Sequence, residues 1–115
     1  MNMRHTGLVV RDIDRCLEFY RDILRLQVRS RQEESGSFLD AILDDEGIVV
    51  ETVKMSADSG ETLLELLHFK SPTGIEGSHN LPPPYNCFGF THLALTVYDV
   101  ESVCAAVAGA GGQCI

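Results

Sequence analysis

The sequence has few cationic residues and no long apolar run, and each shortage excludes a class of function. Nine Lys and Arg residues stand against 17 Asp and Glu among 115 residues, which gives a formal net charge of −8. An acidic balance argues against nucleic acid and against an anionic membrane surface as partners. No stretch reaches the ~18 consecutive apolar residues of a membrane span. Residues 1–6 show no apolar stretch with a cleavage site, so we expect no secretory signal.

Cysteine pairs of the metal-binding or redox type are also missing. The four cysteines are Cys16, Cys87, Cys104 and Cys114, and no two of them form a C-x-x-C pair. Such spacing is not typical of a zinc finger or a redox motif. Without a secretory signal, we expect reduced thiols and a cytoplasmic location. The composition, 44% hydrophobic and 23% charged, is typical of one soluble globular domain.

An internal repeat is the main positive feature of the sequence. Residues 5–14 match residues 92–101 without a gap, at a constant offset of 87 residues. Histidine matches histidine, Asp12 matches Asp99, and apolar positions match apolar positions. Each copy is expected to contain a short strand, an aspartate that caps a helix, and the helix itself. In the first copy an apolar stripe at three- and four-residue steps predicts a helix from Ile13 to Leu24.

The sequence after this helix predicts the rest of the first copy. We expect a strand at 26–33, a short irregular or helical piece at 37–43, and a hairpin of strands 48–55 and 61–69. The predicted organisation is therefore a βαβββ module at 1–69, a linker containing Pro and Gly at 70–90, and the start of a second module at 91–115. That second part would hold a strand, a helix and the beginning of another strand.

Three residues of this scheme suit a metal ion. Alternation along the strands places His5 and His92 on the face opposite the helix. Glu65 lies within a run of four leucines, where a buried carboxylate needs a hydrogen bond, an ion pair or a metal. Two histidines and one carboxylate suit a divalent metal that keeps a position open for water or substrate.

Each of these residues also has a plainer interpretation. His5 can be a solvated strand end, and Glu65 can lie on an exposed sheet edge. His68 is predicted to face away from Glu65, and His79 falls in the linker, so both are interpreted as structural or exposed. Glu51 also lies in an apolar strand, but the pattern does not fix its face.

The order of these features resembles a known superfamily. The segments DRCLEFYRD at 14–22, SFLDA at 37–41 and LLEL at 63–66 are similar to glyoxalase-like members of the vicinal oxygen chelate superfamily. That group includes glyoxalase I (lactoylglutathione lyase), methylmalonyl-CoA epimerase, extradiol dioxygenases, and bleomycin- or fosfomycin-resistance proteins.

The resemblance implies an α+β fold in which paired βαβββ modules form a cupped mixed sheet around a metal, here with an incomplete second module. By position, the metal ligands would be His5, Glu65 and His92, and the fourth ligand has no counterpart in the chain. Glu65 would serve as ligand, as catalytic base, or as neither. The metal could be Zn, Ni, Co, Fe, Mn or Mg.

The function implied by the resemblance is that of a metal-dependent lyase or isomerase of the lactoylglutathione lyase type, acting on a small molecule. The alternatives are a non-catalytic small-molecule binding module, like the bleomycin-resistance proteins, or a truncated relative without function. A half-built module leaves an open sheet edge and exposed apolar surface, so we also expect a homodimer or a strand-exchanged assembly.

Overall fold

A computed structural model of the chain describes residues 1, 3–58, 60, 62–75, 88–90 and 92–115. The elements in chain order are β1 (His5–Val9), α1 (Ile13–Leu17), a π-helical turn (Glu18–Ile23), β2 (Gln27–Ser35), α2 (Ser37–Leu43), β3 (Val49–Ser56), β4 (Leu63–Ser71) and α3 (Val100–Gly109). Most of the predicted linker lies outside the described residues, including the positions of His79 and Cys87. None of the described helices is long and apolar enough to cross a membrane.

The four strands form one mixed sheet in the order β1-β4-β3-β2. β1 runs parallel to β4, whereas β3 is antiparallel to both β4 and β2. The β3–β4 hairpin pairs Ser56 with Leu63 around the predicted turn. The α+β class and the mixed sheet of the first module are therefore confirmed, with β1 at one edge and β2 at the other.

One face of the sheet carries the hydrophobic core because α1 packs against it. Asp12 starts this helix, and its carboxylate oxygen accepts the backbone N–H of Arg15 at 3.0 Å, which satisfies an amide that lacks a partner within the helix. The buried apolar residues of this core are Ile13, Leu17, Leu26, Val53, Met55, Leu64 and Leu66. The opposite face, which we call the cup face, carries His5, Gly7, Thr52, Lys54 and Glu65.

The helix predicted over 13–24 changes its geometry halfway. It is α-helical to Leu17 and continues as a π-helical turn, in which the N–H of Leu24 donates to the carbonyl of Phe19 at 3.0 Å. A π-turn is wider than an α-turn and accommodates one additional residue per turn. Tyr20 still packs against the core and Leu26 is buried in it, so the apolar stripe keeps its function across the change.

The second copy departs from expectation at its strand. Helix α3 forms as predicted, and Asp99 accepts the N–H of Ser102 at 3.0 Å. Residues 92–97, however, form no strand, nor do the described residues after α3. An extended segment becomes a strand only when another strand shares its hydrogen bonds, and the named sheet of the described residues contains β1 to β4 alone.

Candidate functional site

His5 and Glu65 meet on the cup face because β1 and β4 are adjacent and parallel. The register places His5 beside Leu63 and Gly7 beside Glu65. His5 Nε2 lies 3.2 Å from Glu65 Oε2. The His5 side chain is 46% exposed and the Glu65 side chain 10% exposed. A largely buried carboxylate therefore faces an imidazole that solvent and ligands can reach.

Gly7 lies near these two side chains, on β1, and has a tight neighbour of its own. It lies directly beside Glu65 and carries no side chain. A Cβ built at this position would lie 3.1 Å from the Cδ1 atom of Leu67, which is a tight contact. The absence of a side chain at position 7 thus leaves room for Leu67 next to the site.

Lys54 is a third member of the site, and the sequence analysis did not single it out. It lies opposite Glu65 in the β3–β4 register, and its Nζ atom is 3.3 Å from Glu65 Oε1. One oxygen of Glu65 thus faces the imidazole and the other faces the ammonium. The predicted hairpin of strands 48–55 and 61–69, closed midway between them, would pair Lys54 with Thr62, so the sequence pattern did not indicate the contact with Glu65.

Buried hydroxyl groups accompany Lys54 on β3. Thr52 and Ser56 are almost fully buried, although both carry polar side chains. Thr52 Oγ1 donates to Glu34 at 3.2 Å, and Arg29 Nε donates to Ser56 Oγ at 2.7 Å. Every buried polar side-chain atom among the described residues has a hydrogen-bond partner, so this part of the cup face is polar and ordered.

The donors on the cup face fit part of a metal site. Two donor atoms bound to one zinc-sized ion at roughly 2.0–2.2 Å each lie about 3.0–3.4 Å apart, which agrees with the 3.2 Å between His5 Nε2 and Glu65 Oε2. We call this pair of residues the half-site. Within the described ranges, no group of three or more His, Cys, Asp or Glu residues converges to hold a metal. His92 is exposed and does not complete such a group.

Glu51 and His68, which the sequence analysis also considered, lie on the helix-covered face. Glu51 Oε1 accepts a hydrogen bond from Arg31 Nε at 2.7 Å, and Arg31 also pairs with Asp14 of α1 at 2.9 Å. The hydrogen bond from Arg31 and its positive charge lower the pKa of Glu51 despite its partial burial. His68 Nδ1 lies 3.3 Å from the carbonyl of Val10. These contacts connect β2, β3 and β4 to the α1 region and are structural.

A cavity formed by the described residues lies away from the half-site. It is open, has a volume of about 1290 Å³ and is lined by residues that include Tyr20, Ile23, His68 and Val107. These residues come from the π-helical turn, β4 and α3. None of the three cup-face residues His5, Lys54 and Glu65 lines it, so the cavity and the half-site are separate.

Comparisons with known proteins converge on one superfamily. The sequence model described as Glyoxalase/Bleomycin resistance protein/Dioxygenase superfamily matches residues 2–115. A probable lactoylglutathione lyase of Synechocystis sp. is 28% identical over 116 residues, covering 100% of this chain and 74% of that protein.

Two solved structures share the fold. A glyoxalase family protein from Bacillus cereus superposes with a TM-score of 0.87 at 22% identity, covering 96% of this chain and 72% of that one. A glyoxalase family protein from Enterococcus faecalis gives a TM-score of 0.56 at 18% identity, with the same coverage of 96% and 72%. At these identities the likeness concerns the fold.

Proposed function

The chain belongs to the glyoxalase/bleomycin resistance protein/dioxygenase superfamily, and from this membership we propose that it is a metal-dependent lyase or isomerase of the lactoylglutathione lyase type. His5 and Glu65 are the metal ligands on the first module, and His92 is a third. Members of the superfamily typically use a divalent metal and bind small molecules. The distant similarity to a probable lactoylglutathione lyase supports this reaction class.

The observation that carries the proposal is the contact between His5 and Glu65. These residues come from strands that are far apart in sequence, yet their side-chain donor atoms lie 3.2 Å apart. This separation matches that of two ligands on one small cation. Glu65 is buried at 8% exposure, and a carboxylate in that position needs charged partners. A divalent ion beside His5 is such a partner.

The chemistry of the proposed reaction divides between the metal and Glu65. When bound, a divalent ion lowers the free energy of negative charge that develops on substrate oxygens. Glu65 is the general base: it takes a proton from the carbon next to the substrate carbonyl and returns it to the carbonyl carbon, which completes the isomerisation. Its two oxygens point to different neighbours. His5 and Lys54 hold the carboxylate in place on the cup face.

His92 reaches the half-site in this proposal only if residues 92–97 pair with another strand. The repeat places His92 at the position equivalent to His5, and β1 is an edge strand with one side unpaired in the named sheet. Leu93 and Leu95 are each 44% exposed, and burial of these side chains would favour such pairing. We propose that a second copy of the chain supplies or receives this segment, which makes the protein a homodimer or a strand-exchanged assembly.

One observation favours a second candidate, a non-catalytic small-molecule binding module. Lys54 already neutralises Glu65 without a metal, at 3.3 Å. A carboxylate paired with an ammonium and an imidazole can hold a polar ligand through hydrogen bonds alone. If the chain is such a module, it should bind a small molecule tightly without metal and without turnover.

The test is a metal titration of the purified chain together with two ligand variants. We expect Zn²⁺, Ni²⁺, Co²⁺ or Mn²⁺ to bind near one equivalent per half-site, and His5→Ala and Glu65→Gln each to weaken binding by at least about tenfold. His68→Gln is the matched control, because His68 lies on the other face. Equal binding by all variants contradicts the proposed ligands.

Activity is tested separately on the hemithioacetal of glutathione and a 2-oxoaldehyde. Metal-dependent exchange of the substrate carbon proton with solvent deuterium, lost in Glu65→Gln, supports the lyase or isomerase. Metal binding without proton exchange would contradict catalysis on this substrate. Ligand binding without metal or exchange supports the binding module.

A further inference from the structure

Lys54 lies on the cup face next to Glu65, where its positive charge affects metal binding. Its ammonium nitrogen lies 3.3 Å from one oxygen of Glu65, while His5 Nε2 lies 3.2 Å from the other. The register of β3 and β4 places Lys54 directly opposite Glu65. A cation of the chain itself therefore already shares the carboxylate that would bind the metal.

We propose that Lys54 is a positioning residue that competes with the divalent metal for Glu65 and thereby weakens metal binding at the half-site. The inference rests on the proposed metal-binding function. It adds that Lys54 limits how tightly the half-site binds the metal. Two physical effects both weaken metal binding. The incoming ion must replace part of the interaction between Glu65 and Lys54, and the ammonium repels the ion after it has bound.

Burial makes this competition stronger than it would be at an exposed ion pair. The Glu65 side chain is 10% exposed and the Lys54 side chain 29% exposed. Water and salt screen such a pair less than they screen two surface charges. At the same time, the ammonium keeps the buried carboxylate paired when no metal is present, as a buried charge requires. The half-site thus stays formed in the metal-free chain.

A second lysine provides a matched comparison within the same sheet. Lys70 Nζ lies 2.8 Å from Glu33 Oε2 and 3.6 Å from Glu51 Oε2, so it also pairs with glutamates. It belongs to β4 but points to the helix-covered face, away from His5 and Glu65. Removal of the Lys70 charge changes the net charge of the chain by the same amount without touching the half-site.

The experiment measures Zn²⁺ and Ni²⁺ affinity by competition with a chromophoric chelator at pH 7.5 and low salt. We compare the unaltered chain with Lys54→Met, Lys54→Arg and Lys70→Met, after circular dichroism has shown that each folds. Lys54→Met should bind metal at least about tenfold more tightly. Lys54→Arg keeps the charge and Lys70→Met lies elsewhere, so both should stay within about threefold of the unaltered chain. The tenfold difference should shrink in 0.5 M salt.

The outcomes separate this inference from the function on which it rests. If the unaltered chain binds metal and Lys54→Met binds it equally or more weakly, Lys54 does not compete and the inference is wrong, while the half-site stands. If neither binds metal, the proposed metal function and the inference both fall. If Lys54→Met binds tightly and the additional change Glu65→Gln abolishes that binding, the tight site is the one described here.

Discussion

Asp12 and Asp99 lie 87 residues apart and cap their helices with the same hydrogen bond. In each case Oδ1 accepts the backbone N–H three residues further along the chain, at 3.0 Å. Both residues have an extended backbone, with φ of −142° at Asp12 and −133° at Asp99. The repeat in the sequence is thus also a repeat of local geometry at the start of α1 and of α3.

Replacement of Asp12 by alanine should destabilise the chain by about 1 kcal/mol, because the first turn of α1 loses its side-chain acceptor. Asp12→Asn should stay close to the unaltered chain, since the asparagine oxygen makes the same bond. Urea unfolding followed by circular dichroism measures both variants. Equal losses in the two variants would show that charge, and not the cap, is what position 12 contributes.

Leu66→Ala should cost roughly 2–5 kcal/mol, because Leu66 is fully buried beneath α1 and its truncation leaves a cavity. Ile42→Ala is the control, since Ile42 is 60% exposed, and it should change the free energy of unfolding by about 0.5 kcal/mol or less. Chemical denaturation of both variants provides the comparison. A small effect at Leu66 would mean that α1 does not cover the sheet as described.

The contact of Arg31 with Glu51 should make stability depend on acidic pH. Because the hydrogen bond from Arg31 lowers the pKa of Glu51 in the folded chain, this contact stabilises the fold at pH values above the unfolded pKa of about 4.3. The stabilisation is lost as the pH falls through the lower folded-state pKa. Glu51→Gln should therefore have a lower Tm than the unaltered chain at pH 6, and the difference should shrink towards pH 3. A difference that is constant with pH would contradict the assignment.

Gly7→Val should disturb β1 next to His5 and thereby the half-site, because the added carbons meet Leu67. A Cβ alone would lie 3.1 Å from Leu67 Cδ1, and such overpacking costs about 1–3 kcal/mol. Gly109→Ala is a control of opposite sign. A Cβ at Gly109 in α3 meets nothing within 4 Å and should stabilise the helix by up to about 1 kcal/mol. Thermal unfolding gives the stability of both variants, and metal affinity should fall only in Gly7→Val.

The elements of the first module were predictable because they follow from local sequence patterns. The apolar stripe beginning at Ile13 indicated the helix, and the turn residues after β3 indicated the hairpin but not its exact register. Alternation along β1 placed His5 on the face opposite the core. Glu65 was conspicuous because a carboxylate among leucines needs a partner. Each of these signals depends on near neighbours or on a simple period.

The parts that were missed depend on partners that a local pattern does not show. The π-helical turn after Leu17 satisfies the same apolar stripe as an α-helix would, so the pattern does not distinguish them. Residues 92–97 alternate like a strand, but pairing requires a neighbouring strand. Lys54 was not singled out, because its position opposite Glu65 depends on the β3–β4 register, which the strand pattern does not fix.

The parallel pairing of β1 with β4 also determines when the half-site arises during folding. β2, β3 and β4 follow one another along the chain and are joined by residues 36–48, which include α2, and by residues 57–62, whereas β1 meets β4 across 58 positions. Closing that longer loop loses more chain entropy, so β1 is expected to dock after the three-strand meander has formed. Glu65 would then meet Lys54 early and His5 last. Pulse-labelled hydrogen exchange during refolding should protect β3 amides before β1 amides, and a metal bound at the half-site would hold in place the strand that arrives latest.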